Sequence, residues 1–143
     1  MASVASFAVA TAVITRAFTA VADCATAELQ SRVDAVAASG GGWAQLPGME
    51  SDAYATGQTL YTLVTTTVPS ERNSEFTKAI KRARSYLIRT QKQDGSWFVK
   101  SRSKPIQKFF DNGDPHGKDQ FISISATSWA TAALAKSRII NTQ

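Results

Sequence analysis

Charge is distributed along this chain in a way that restricts its fold. From Ala53 to about Thr66 there is no charged residue, and from about Ile122 to Lys136 only the last position is charged. Between them, about Glu75–Lys92 places Phe76, Ala79, Ile80, Ala83, Leu87 and Thr90 on one stripe at helical spacing, with Lys78, Lys81, Arg82, Arg89 and Lys92 elsewhere. An uncharged helix covers apolar surface on more than one side, whereas an amphipathic helix covers a single stripe. The alternation predicts an all-α chain in two layers, with charge-poor helices inside and charged ones outside.

Turn chemistry sets the limits of these helices. An apolar run over Ser6–Ala22 predicts a first, buried helix. A second spans about Thr26–Ala38, with Leu29, Val33, Val36 and Ala37 at i, i+4, i+7 and i+8, and stops at Gly40-Gly41-Gly42. Pro47-Gly48 marks a loop between Trp43 and Ser51, because Pro fixes φ and Gly accepts positive φ. Ser51 or Asp52 then caps the helix from Ala53, Pro69 closes that segment, and Ser70 or Ser74 caps the next. After Asp94-Gly95-Ser96-Trp97, a polar segment punctuated by Gly and Pro runs to Asp119. It is too long for a simple connection and reads as a structured or functional loop.

With 43% apolar residues in 143, the chain can bury a core as a single domain spanning 1–143. The lone Cys24 excludes an internal disulfide and a Cys-x-x-Cys metal pair. The apolar run near the start is interrupted by Arg16 before it reaches bilayer length and has no basic residue ahead of it. That predicts no membrane span and favours a cytoplasmic chain over an exported one. Residues 1–70 carry a net charge of −3 and residues 71–143 a net +8, so the second half is the side suited to an anionic partner.

An internal repeat explains the order of these features. Ala55-Thr56 and Leu63 correspond to Ala126-Thr127 and Leu134 at an offset of 71, whereas Trp43 and Trp97 are offset by 54. The difference is an insertion of 17 residues after the second Trp, inside a loop of about 98–120. The repeat units run over about 26–68 and 75–137.

Arg82-Ala83, Tyr86-Leu87, Gln91 and Gly95-Ser96-Trp97 follow one another as in the glutamine-tryptophan repeat of squalene and terpene cyclases, which this segment resembles. Gly41-Gly42-Trp43 resembles that corner in part, and Gly42-Trp43, Pro47-Gly48 and the helix from Asp52 resemble a repeat of protein prenyltransferase β-subunits. The resemblance implies a partial α/α-toroid, inner and outer helices alternating around a cavity, of about two and a half pairs where a complete ring of this kind has roughly five to seven. It makes Gln91, Gly95, Trp97 and Trp43 structural staples, and it implies an isoprenoid-like ligand. A half-ring exposes apolar flanks, which implies self-association or a partner chain.

The Asp-x-Asp-Asp acid cluster with which such cyclases protonate an alkene is absent from this sequence. The expected role is therefore that of a module binding an apolar ligand or a partner chain without catalysing alone. The alternative is part of a cyclase-type isomerase or lyase completed by other helices. Asp52, His116 and Asp119 each stand just before an inner helix and are the weak catalytic candidates. Tyr54, Tyr61 and Trp129 are aromatics on inner helices, suited to an apolar ligand or a carbocation. Arg102 and Lys104, with Lys100, Lys108 and nearby Trp97, Phe98, Phe109 and Phe110, make a basic-aromatic mixture suited to a polyprenyl diphosphate. No nucleic-acid-binding signature accompanies it, and neither a metal site nor a cofactor is expected.

Overall fold

The computed structural model describes residues 40–67, 73–104 and 109–138. The helices expected over Ser6–Ala22 and Thr26–Ala38, Cys24, Pro69, Ser70 and Lys108 lie outside those residues. Among the described residues the fold is all-helical: α1 (Ala53–Thr66), α2 (Ser74–Thr90), a short 3-10 turn (Gly117–Asp119) and α3 (Gln120–Arg138).

Helix α1 starts where Asp52 turns extended and its Oδ1 accepts the Ala55 N–H at 2.9 Å, satisfying one of the free donors of the first turn. Helix α2 is capped by Asn73, not by Ser70 or Ser74; its Oδ1 accepts from Phe76 N at 2.7 Å. It also ends two residues earlier than its amphipathic pattern suggests. Gln91 is extended, and the Leu87 carbonyl accepts both the Gln91 N–H at 3.1 Å and the Trp97 Nε1–H at 2.8 Å. An indole thus closes the end of α2.

α1 and α3 pack along each other at close range. Gly57 faces the Trp129–Ala130 backbone so tightly that a Cβ there would lie 2.7 Å from Ala130 N. The opposing face of α3 is correspondingly small: Ser123, Ala126, Ala130, Ala133 and Ser137 are its buried residues beside Gln120. Helix α2 lays Phe76, Ala79, Ile80, Ala83 and Leu87 inward and keeps its charges outside. Arg84 of α2 donates to the Ser137 carbonyl at 2.8 Å, supplying a cation and a donor to the free carbonyls at the end of α3.

The two Trp corners are held alike. Trp43 N–H donates to Thr56 Oγ1 at 2.9 Å, and Trp97 N–H donates to Thr127 Oγ1 at 3.0 Å. Thr56 and Thr127 are the pair offset by 71, and both tryptophans are buried, at 4% and 2% exposure. The Gln91 side chain closes the turn before Trp97: its amide donates to the Gly95 carbonyl at 2.9 Å.

Candidate ligand pocket at the inserted loop

The loop after Trp97 is fixed to α3 by a ladder of side chains. Trp97 N–H donates to Thr127 Oγ1, Val99 N–H to Ser123 Oγ at 3.1 Å and Ser101 N–H to Asp119 Oδ1 at 2.7 Å, and Ser123 Oγ donates back to the Val99 carbonyl at 3.2 Å. Two residues of extended chain advance about 6.6 Å and four residues of helix about 6 Å, so acceptors four apart on α3 and the turn leading into it meet amides two apart on the segment after Trp97. Next to Asp119, Gln120 Nε2 donates to the Phe110 carbonyl at 2.7 Å, while its buried Oε1 has no partner among the described residues.

Alternation along the extended segment then sorts its side chains. Trp97 and Val99 are buried, whereas Phe98, Lys100 and Arg102 are exposed on the other side. Lys100 and Arg102 line a pocket of about 640 Å³, together with Tyr54 of α1, Phe109 and Phe110 of the loop, Lys118, and Phe121 and Ile122 of the first turn of α3. Gln45, Ser101, Ser103 and Ser125 complete the wall. Three cations and four aromatic rings thus surround one hollow, and no carboxylate of the described residues lines it. On one rim the Arg102 guanidinium meets the Met49 sulfur, so the Pro47-Gly48 loop touches the inserted loop.

The sequence candidates divide in three. Tyr54 and Arg102 line the pocket; Tyr61, Trp129 and Lys104 are not among its lining residues. Tyr61 and Trp129 instead stack edge to face across α1 and α3, with centroids 5.7 Å apart. Asp52, His116 and Asp119 do not line it either. Asp52 has both oxygens engaged, one by Ala55 N and one by Gln45 Nε2 at 2.8 Å, and Asp119 holds Ser101. Sequence reasoning missed Lys118, Phe121 and Ile122 as pocket residues and Ser123, Thr127 and Gln120 as the loop's anchors.

His116 belongs to a separate, half-buried group. Its backbone is left-handed (φ 82°), its ring lies edge-on to Phe98, and its Nε2 is 2.8 Å from Ser96 Oγ. The Ser96 hydroxyl donates to Asp94 Oδ1 at 2.7 Å, so the imidazole is the donor to Ser96. A nucleophilic relay needs the imidazole between carboxylate and hydroxyl; here the hydroxyl stands in the middle. Hydrogen bonds from Ser96, first its hydroxyl and then its N–H, hold the Asp94 carboxyl below the usual carboxylate range. Elsewhere, burial first and then the charge of Asp52 push the Tyr86 phenol up, and its hydroxyl donates to the Ser51 carbonyl at 2.5 Å.

Among the described residues no group of three His, Cys, Asp or Glu side chains is placed to hold a metal ion, and no helix is long and apolar enough to cross a membrane. Comparison of the chain with models of known protein families, with curated proteins and with solved structures finds no match.

Proposed function

We propose that this chain is a helical-repeat module of the squalene/terpene cyclase and prenyltransferase β-subunit type, a partial α/α-toroid whose inserted loop holds an apolar, isoprenoid-like ligand without transforming it alone. The observation that carries this reading is the pocket wall: Tyr54, Phe109, Phe110, Phe121 and Ile122 gather from α1, the loop and α3 around one hollow. Apolar walls with a few polar groups are the usual form of a small-molecule site. The shared Trp-to-Thr hydrogen bond at the two corners supports the repeat.

Titration with geranylgeraniol, followed by calorimetry, tests the reading. It predicts saturable binding that Phe109→Ser and Phe121→Ser weaken by about tenfold or more, since each removes an exposed ring that the ligand would cover. Binding unchanged in both variants contradicts it.

A second reading, in which further helices or another copy complete an enzyme, is favoured by one feature of α3. Phe121, Ile124, Ser128, Thr131 and Ala135 are all exposed at alternating spacings of three and four, with no charge among them. A completed ring requires a complex heavier than the 15.3 kDa chain, read by sedimentation velocity, and turnover of squalene or geranylgeranyl diphosphate by that complex, read by mass spectrometry, separates an enzyme from a self-associated module.

A further inference from the structure

We infer that the outer face of α2 is a docking surface for the sugar–phosphate backbone of duplex DNA. The helix carries five cations against one acid, Glu75 in its first turn. Its apolar stripe packs inward, which leaves Lys78, Lys81, Arg82, Ser85 and Arg89 exposed. At about 100° per residue these five fall within an arc of about 100°, opposite Phe76, Ala83 and Leu87. Arg84 falls outside the arc and donates instead to the Ser137 carbonyl at 2.8 Å. None of the five lines the pocket at the inserted loop, so this surface and the ligand reading stand or fall separately.

Spacing gives the row its match. Lys78, Arg82, Ser85 and Arg89 follow one another at steps of four, three and four, which keeps them on one side of the helix over about 16.5 Å. One DNA strand presents a phosphate about every 3.4 Å along the axis, so five steps cover about 17 Å. The row therefore meets a strand along its length instead of at one point. Phosphate contacts come from Lys and Arg and from neutral hydroxyls, and Ser85 supplies a hydroxyl in mid-row. Such contacts respond to charge and spacing rather than to base edges, and so they require no base-reading motif. An interface with another protein would call for an apolar centre, whereas the one large apolar side chain that α2 exposes is Ile88. A bilayer presents a sheet of charge, for which the linear register of the row has no use.

The test uses the whole chain and a fluorescein-labelled duplex of about 20 base pairs of mixed sequence, read by anisotropy. Saturable binding is expected, with a Kd of about 10 μM or tighter at low salt and no dependence on base sequence. Four phosphate contacts, from Lys78, Lys81, Arg82 and Arg89, imply an affinity that falls about 150-fold between roughly 50 and 200 mM salt. In the variant Lys78→Gln, Arg82→Gln two contacts remain, and the fall over the same range shrinks to about 12-fold. The control Lys104→Gln, Lys136→Gln removes the same amount of charge elsewhere and is expected to keep the full salt dependence. All four residues are exposed, so both variants are expected to melt like the parent by dichroism. The charge-keeping pair Lys78→Arg, Arg82→Lys is expected to retain the parent salt dependence.

Equal losses in the α2 variant and in the control overturn the inference, because total charge then accounts for the binding. Absence of saturable binding at low salt overturns it as well. Displacement of the duplex by polyglutamate as readily as by unlabelled duplex overturns the DNA assignment in favour of an acidic protein surface. Co-sedimentation with phosphatidylglycerol vesicles that the α2 variant abolishes, in a chain that does not bind the duplex, overturns it in favour of a bilayer.

Discussion

Replacing Gly57 by Ala reverses the usual sign of that substitution. In an ordinary helix interior, Gly→Ala is stabilising by about 1 kcal/mol, because it reduces the backbone freedom of the unfolded chain. Here the added Cβ would lie 2.7 Å from Ala130 N, 2.8 Å from the Trp129 carbonyl carbon and 2.9 Å from Trp129 Cβ. Ordinary contact begins near 3.4 Å, so α1 and α3 must separate by about 0.7 Å, and backbone atoms offer no rotamer to turn aside. Overpacking of this kind costs about 3 kcal/mol, which leaves a net loss of about 2 kcal/mol after the propensity gain. For a chain of this size that lowers the Tm by about 6 °C. Urea unfolding followed by far-ultraviolet dichroism measures it. A Gly57→Ala chain as stable as the parent, or more so, would refute the close packing of α1 and α3.

Five further substitutions probe the corners, the ladder and the ionisable groups. Thr127→Val leaves the Trp97 N–H without its acceptor and is expected to cost about 1–3 kcal/mol in urea unfolding; Thr56→Val does the same at the first corner, and a cost at only one would break the equivalence of the repeats. Trp97→Phe removes the indole donor from the Leu87 carbonyl, with an expected loss of at least about 1 kcal/mol that calorimetric melting detects. Ser96→Ala is expected to return the Asp94 carboxyl toward the ordinary value near 3.8, read by carbon-detected NMR titration; in the parent its folded-state value is depressed, so its contribution to stability is present above 3.8 and is lost as pH falls through the lower folded value. Asp52→Asn keeps a capping acceptor and is expected to leave ligand affinity within about twofold, whereas a tenfold loss would return Asp52 to the site.

Much of the helical frame was legible in the sequence because it rests on patterns that act locally. The charge-free run from Ala53, the stripe from Phe76 to Leu87 and the Pro47-Gly48 turn each appear where the chain's own periodicity and turn chemistry put them. The offset of 71 between Thr56 and Thr127 was visible as a repeat of residue types; that both hydroxyls receive a Trp N–H was not. Ser123 and Asp119 were obscure for the same reason. A serine on a charge-poor helix looks like filler, and its partner amide is 24 residues away in sequence. The end of α2 fell two residues short because a distant indole, not the helix's own amphipathicity, sets it.

The basic-aromatic loop was recognisable by composition, yet composition cannot say which cations face inward. Only the two-against-four match between extended segment and helix singles out Lys100 and Arg102. By the same geometry, the carboxylates that a reader of the sequence would nominate for acid chemistry hold backbone amides: Asp52 at the start of α1 and Asp119 under Ser101. In this chain they set the shape of the pocket wall.

The pocket assignment is tested most directly by isotope-filtered NMR of the chain saturated with geranylgeraniol. Intermolecular contacts from the ligand's protons to the rings of Tyr54, Phe109 and Phe121 are the predicted result. Contacts confined to the Tyr61–Trp129 pair, with those three rings unaffected, would contradict it.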